Sequence, residues 1–349
     1  MIRSVRLHVA VAELTLACPC RCVTCGSSAG RARPDELGLG EWRTVFRDLA
    51  ALGTQRLTLS GGEPLARPDW PALARAAVRA GPAVDAITSG WSLDDAAVRE
   101  IRRAGLYAVT VSVDGPAEVH DRLRGVAGSH RRALEAVRRL DAAGVRVGVA
   151  TQVNRWNLGR LAATAREIQA AGAYAWQLQL TMPAGRAADV PDLVLGPEEM
   201  GTVHAAIRRL QRRRGLRPFA TDNIGYLTPD DAALRTAART PPRRWMGCFA
   251  GLRAVAVTSD GGVKGCLSLP DELREGNVRE EPLARIWGDP ERFAYNRRFE
   301  RSSLWGACAT CEAAEPCRGG CTAMAIAAHG RPGRCDRCFR LAVGAAPAA

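Results

Sequence analysis

Lysine is almost missing from this chain: of 49 basic residues only Lys264 is not arginine. The formal charge of +13 therefore rests on arginine throughout, alongside abundant alanine. That reads as a compositional bias, not a dedicated nucleic-acid patch. No recognisable nucleic-acid module accompanies it, so nucleic acid is not expected as substrate. Some basic surface still suits an acidic partner. Long apolar runs are also lacking. None approaches the roughly 18–20 residues needed to cross a bilayer, so no membrane partner is expected. The opening MIRSVRLHVAVAELTLACPC is interrupted by His8 and Glu13. It reads as a first strand and not as a signal peptide, which makes the cytoplasm the default location.

No cysteine lies between Cys25 and Cys248, which excludes an evenly stapled disulfide scaffold. Instead four cysteines crowd positions 18–25 and eight occupy 248–338. In a reducing compartment such clusters read as metal ligands.

The chain's 349 residues suit one large domain or two modest ones. Residues 11–180 alternate short apolar runs with amphipathic ones. Strands are predicted at Val11–Leu16, Arg56–Ser60, Ala83–Thr88, Tyr107–Val113, Val145–Val153 and Tyr174–Leu180. Helices are predicted at Gly40–Leu52, Trp70–Ala80, Asp94–Ala104, Ser129–Ala143 and Leu158–Ala171. Gly53, Gly81, Gly105, Gly144 and Gly172 stand where glycine closes a helix in the left-handed conformation. Such a βα repeat builds a parallel sheet. Six units are fewer than the eight of a complete barrel, and periodicity does not decide between a partial barrel and an open sheet. A further helix is predicted over Glu198–Arg214, and TPPRR at 240–244 resembles a boundary. Beyond it, short elements rich in cysteine and glycine call for metal staples.

Cys18, Cys22 and Cys25 form CxxxCxxC directly after the first strand. Three thiolates from one tight loop can cap one face of a 4Fe–4S cube and leave one iron open to a chelating substrate. The plainer alternative is a zinc knuckle, but structural zinc prefers four closed ligands, commonly in CxxC pairs.

The segment CPCRCVTC resembles the cluster motif of the radical S-adenosylmethionine (SAM) superfamily. One βα unit later comes SGGEP, Ser60 to Pro64, similar to the superfamily segment that contacts the SAM amino group. That resemblance places Gly61, Gly62, Glu63 and Pro64 at the cofactor. VSVDGPAEVHDRLRG, Val111 to Gly125, is similar to the SxDG…HDxxRG stretch of members with auxiliary clusters. It implies that Ser112 and Arg124 bind the SAM carboxylate, a pairing for which an arginine fork is well shaped. Ser89, in Thr88–Gly90, and Asn154, in Thr151–Asn154, end the third and fifth strands, where ligands of parallel sheets gather. Thr24 stands where an aromatic residue often lies against adenine. Adenine is then expected against other groups, such as the backbone near Gly185–Ala187.

The C-terminal cysteines resemble the SPASM domain, an extension holding two auxiliary 4Fe–4S clusters. The resemblance implies Cys308, Cys311, Cys317 and Cys338 for an outer cluster and Cys248, Cys266 and Cys321 for an inner one. The fourth inner ligand is not apparent, and Cys335 competes with Cys338 for the outer site. The implied architecture is α/β: a partial (β/α)6 TIM-like barrel with a C-terminal iron–sulfur SPASM domain. It divides into a core at 1–195, a helical bridge at 196–240, the cluster domain at 241–340 and a flexible tail at 341–349.

By resemblance the chain is a radical SAM oxidoreductase or maturase with three 4Fe–4S clusters. An electron donor such as flavodoxin or ferredoxin reduces the first cluster, and SAM is cleaved to a 5′-deoxyadenosyl radical. That radical abstracts hydrogen from an unactivated carbon. The first expectation is cross-linking or oxidation of a ribosomally made peptide. Only 17 residues precede Cys18, so a separate leader-peptide-binding protein is expected, or direct docking. The alternative is an epimerase or dehydrogenase of a sugar, aminocyclitol or glycoside in natural-product biosynthesis. Epimerisation needs a thiol hydrogen donor, for which Cys20 and Cys335 are candidates. Leu267 stands where enzymes forming formylglycine carry an aspartate, so that activity is not expected. Gln177, Gln179, Asn223 and Tyr226 are candidates for lining the substrate site.

Overall fold

The computed structural model describes residues 6–221, 223–237 and 243–343. Residues 344–349 of the tail expected at 341–349, and residues 240–242 of the expected boundary, lie outside the described residues.

Among the described residues ten strands form one sheet. They are β1 (Val9–Glu13), β2 (Arg56–Ser60), β3 (Ala83–Thr88), β4 (Ala108–Ser112), β5 (Val147–Val153), β6 (Ala175–Leu180), β7 (Pro218–Ala220), β8 (Ala254–Val257), β9 (Gly262–Lys264) and β10 (Gly276–Asn277). Their order is β10-β9-β8-β1-β2-β3-β4-β5-β6-β7. All neighbours from β8 through β1 to β7 are parallel, while β9 and β10 run antiparallel. The sheet therefore ends at β7 and β10 and is not a closed ring.

Helices cross between the strands: α1 (Leu39–Ala51), α2 (Trp70–Arg79), α3 (Asp95–Ala104), α4 (Ala117–Arg124), α5 (Ser129–Ala142), α6 (Leu161–Ala170) and α7 (Met200–Gln211). The five glycines predicted to close helices all have positive φ, from 72° to 117°. This is a mixed α/β fold built on six βα units. The sequence did not foretell α4. Its composition is strongly polar, and its hydrophobic stripe reduces to Leu123 with His120 and Arg124.

The first strand begins and ends earlier than Val11–Leu16. Gly62 N–H donates to Thr15 O at 2.7 Å, Glu63 N–H to Ala17 O at 2.8 Å and Gly30 N–H to Leu16 O at 2.9 Å. These backbone groups serve the SGGEP turn and the cysteine loop, so they are lost to the ladder.

Two apolar clusters hold the sheet. One packs α1 and α2 on β1–β3 and takes in Val255, Val257, Trp287 and Phe293. The other lies between β4–β6 and α5–α7 and takes in Tyr226, Trp245, Met324, Cys335, Cys338 and Phe339. Each fully buried large apolar side chain contributes about 1.5–3 kcal/mol. The C-terminal residues thus share both cores with the βα units.

Candidate active site and cluster sites

The loop after β1 carries the first cysteines to the carboxyl end of the sheet. Cys20 is 1% exposed, and its free thiol lies beside those of Cys18 and Cys22. The neighbouring Cys20 thiol, opposed by burial and aided by Arg124, draws the Cys22 thiol down to about 6. Cys18 is likewise lowered, first through Cys20. Low-lying thiols supply the thiolate that binds iron. Cys25 Sγ accepts Ala29 N–H at 3.3 Å.

A side chain the sequence did not single out locks this loop. Arg186 Nε donates to Cys22 O at 2.7 Å and Nη1 to Ala29 O at 2.9 Å. Its backbone N–H donates to Cys25 O at 3.1 Å. A Cβ on Gly185 would stand 2.4 Å from Cys25 O. The Gly185–Asp189 turn thus packs directly on the cysteine loop, and the Arg186 N–H expected near adenine is spent there. The pairing spans 164 residues and leaves no local signal.

The turn after β2 is tight for a reason internal to the chain. A Cβ on Gly62 would meet Ala17 O at 2.5 Å, and one on Gly61 would meet Thr15 O at 2.3 Å. The glycines bring the turn against the cysteine loop. Glu63 is fully buried. Its carboxylate accepts Thr88 Oγ1–H and Ser89 N–H, each at 2.7 Å, Leu65 N–H at 3.3 Å, and Ser89 Oγ–H. These fill about four acceptor places, the usual capacity of a carboxylate. Ser89, expected at the cofactor, here fixes Glu63.

Arg124 ends α4 and is 8% exposed. Its Nη2 pairs with Asp114 Oδ2 at 2.6 Å, and its Nη1 lies 3.7 Å from Cys22 Sγ. Its Nε is buried without a partner. Asp114 is itself placed by Gln152 N–H on Oδ1 at 2.9 Å. Asn154 is fully buried and turned into its own loop. Its Nδ2 donates to Gln152 O at 3.0 Å, and its Oδ1 accepts Trp156 N–H at 3.0 Å.

Ser112 is in register with Ala150, which is in register with Gln177. Gln152 and Gln179 form the next layer. Gln177 and Gln179 are half-buried, while Trp176 on the opposite face is buried and donates to Thr151 Oγ1 at 2.9 Å. Two lining candidates are otherwise engaged. Asn223 pairs with the backbone of Leu180, accepting at 3.0 Å and donating at 2.8 Å. Tyr226 is buried beside Trp245 and Cys335.

The other cysteines fall into two neighbourhoods. Cys317 and Cys338 adjoin each other, and both adjoin Cys308; Cys311 adjoins Cys308 and Cys338. All four line one small cleft, together with Cys335 and Tyr226. Cys248, Cys266 and Cys321 adjoin one another elsewhere. Burial pushes Cys317 up to about 12 and Cys335 up to about 11. Among the described residues no three Cys, His, Asp or Glu side chains gather around a single-ion site.

A sequence profile of the Radical SAM superfamily matches residues 12–168, and one of the SPASM iron–sulfur cluster-binding domain matches residues 248–312. An AdoMet-dependent heme synthase of Methanosarcina barkeri is 33% identical over 91% of this chain and 92% of its own length. The chain belongs to the radical SAM superfamily. Within the superfamily it is also 30% identical to a PqqA peptide cyclase of Gluconobacter oxydans, over 93% of this chain and 88% of the relative. Streptococcus suis SuiB bound to precursor peptide SuiA shares the fold. Its TM-score is 0.73 at 14% identity, covering 95% of this chain and 75% of that one.

Radical SAM and SPASM domains imply SAM and 4Fe–4S clusters. The residues fit such groups: three thiols on the first loop, an unpartnered buried Arg124 Nε beside them, and two further thiol sets. No helix among the described residues is long and apolar enough to cross a membrane.

Proposed function

We propose that this radical SAM/SPASM enzyme oxidises or cross-links a ribosomally made peptide. The observation that carries the reading is the grouping of thiols into one set beside Arg124 and two sets in the C-terminal part. When bound, the first cluster and SAM supply a 5′-deoxyadenosyl radical able to take hydrogen from carbon. Cys18, Cys22 and Cys25 hold that cluster. Asp114 orients Arg124 so that its spare donor meets the SAM carboxylate beside Ser112. The turn Gly61–Pro64, fixed through Glu63 by Thr88 and Ser89, shapes the methionine end of the pocket. Gln177 and Gln179 orient the substrate from the inner face of β6. The C-terminal thiols hold groups able to accept an electron, which suits net oxidation.

The peptide reading draws on relatives whose names refer to peptides, the PqqA cyclase among them. A second reading, a heme precursor as substrate, draws on the heme synthases, three of which align over 90–91% of this chain. Anaerobic incubation of the reconstituted enzyme with SAM and a reductant should release 5′-deoxyadenosine. Absence of that product with all clusters present would sink the radical SAM assignment of these residues. Adding candidate precursor peptides or a heme precursor separates the readings. A peptide product lighter by two hydrogens supports the first, and turnover of the heme precursor alone supports the second.

A further inference from the structure

Seven C-terminal cysteines are accounted for by two sets, one of four and one of three. The eighth, Cys335, stands at the seam between them. Cys338 completes the outer set, since it adjoins Cys308, Cys311 and Cys317. The inner set of Cys248, Cys266 and Cys321 is one ligand short.

Two observations bring Cys335 to the inner set as well as to Cys338 of the outer one. Cys321 has Cys248, Cys335 and Cys266 as its thiol neighbours. Gly320, immediately before Cys321, makes room for it: a Cβ there would stand 2.7 Å from Cys335 Cβ and 2.8 Å from the Tyr226 ring. The Cys335 side chain is 2% exposed, and the Tyr226 hydroxyl lies 3.4 Å from its sulfur. A phenol there can donate to a thiolate. Meanwhile the backbone amide of Cys335 lies beside Cys308 of the outer set.

We propose that Cys335 is the fourth protein ligand of the inner auxiliary cluster, while its backbone amide supports a ligand of the outer one. On binding iron the thiol gives up its proton to solvent and no electron moves. Residue 335 then ties the two clusters together, and the inner cluster has no iron open to substrate. The proposal rests on reading the eight thiols as two cluster sites.

The test uses the full chain carrying Cys18→Ala, Cys22→Ala and Cys25→Ala, reconstituted anaerobically and read by iron analysis, Mössbauer and EPR spectroscopy. Two clusters give about eight irons per chain. Adding Cys335→Ala should yield a three-iron cluster after mild oxidation and lower the count to about seven. Cys335→Ser should keep four irons there but shift the reduction potential of one cluster. Combining Cys335→Ala with Cys321→Ala should damage one cluster only. Combining it with Cys338→Ala should damage both. Unchanged spectra in Cys335→Ala and Cys335→Ser, or damage confined to the cluster that Cys338→Ala affects, overturns the ligand assignment. A triple-alanine chain without any auxiliary cluster overturns the two-site reading beneath it.

Discussion

The guanidinium of Arg124 reaches within 3.7 Å of the Cys22 sulfur while its other arm holds Asp114 at 2.6 Å. One buried arginine thus faces the Cys22 thiol and a fully buried carboxylate at once. Arg124→Gln should strand Asp114 and cost about 3–5 kcal/mol, the usual penalty for halving a buried ion pair. Replacing both, as Arg124→Met with Asp114→Leu, should restore much of the thermal midpoint but not 5′-deoxyadenosine formation. Calorimetry and product analysis on the same samples check both halves.

Arg186→Ala should loosen the cysteine loop without touching a cysteine. Two carbonyls, Cys22 O and Ala29 O, lose their side-chain donor. Each lost bond costs about 1–3 kcal/mol where the acceptor stays buried. The expected result is reduced iron retention at the first site, with the C-terminal clusters intact by Mössbauer spectroscopy. Full iron retention after repeated gel filtration would contradict it.

Gly62→Ala should be severe. Its Cβ would lie 2.5 Å from Ala17 O and 2.7 Å from Leu16 O, both backbone atoms. Either the turn or the cysteine loop must move. Gly40→Ala, with nothing within 4 Å and a place inside α1, should instead stabilise by about 0.5–1 kcal/mol. Denaturant midpoints of the two variants should move in opposite directions.

Removing the clusters with an oxidant and a chelator should open the C-terminal part first. Its elements are short: β9 has 3 residues, β10 has 2, and the longest helix there, Thr322–His329, has 8. Metal ligation supplies folding free energy to such regions. Limited proteolysis of the apo chain should therefore cut within 248–343 before it cuts within 56–180.

Much of this was readable beforehand. β2 and β3 fall on their predicted bounds because each is a short run, largely apolar inside, between a helix-closing glycine and a turn. The thiol sets are legible because ligand spacing is a property of sequence. The helix α4 was not, because its motif is polar and its buried residues are only His120, Leu123 and Arg124. Arg186 was invisible for a different reason. Its partners lie 164 and 157 residues away, and nothing local in GRAAD announces a clamp. Asp114 shares a motif with Arg124, yet nothing in SVDGP announces their buried pair. The protein partners of Glu63 were not legible. Its carboxylate accepts from Thr88 and Ser89, which only the third dimension brings to it.

The arginine that clamps the cysteine loop is made long after the loop itself. During translation, 164 residues separate Cys22 from Arg186. At about 5–20 residues per second, the nascent loop waits roughly 8–33 seconds for its clamp. Iron delivered in that interval meets an unbraced loop with four thiols in reach of one another. The architecture therefore favours insertion of the first cluster after release of the sixth βα unit from the ribosome, as a late step of biogenesis.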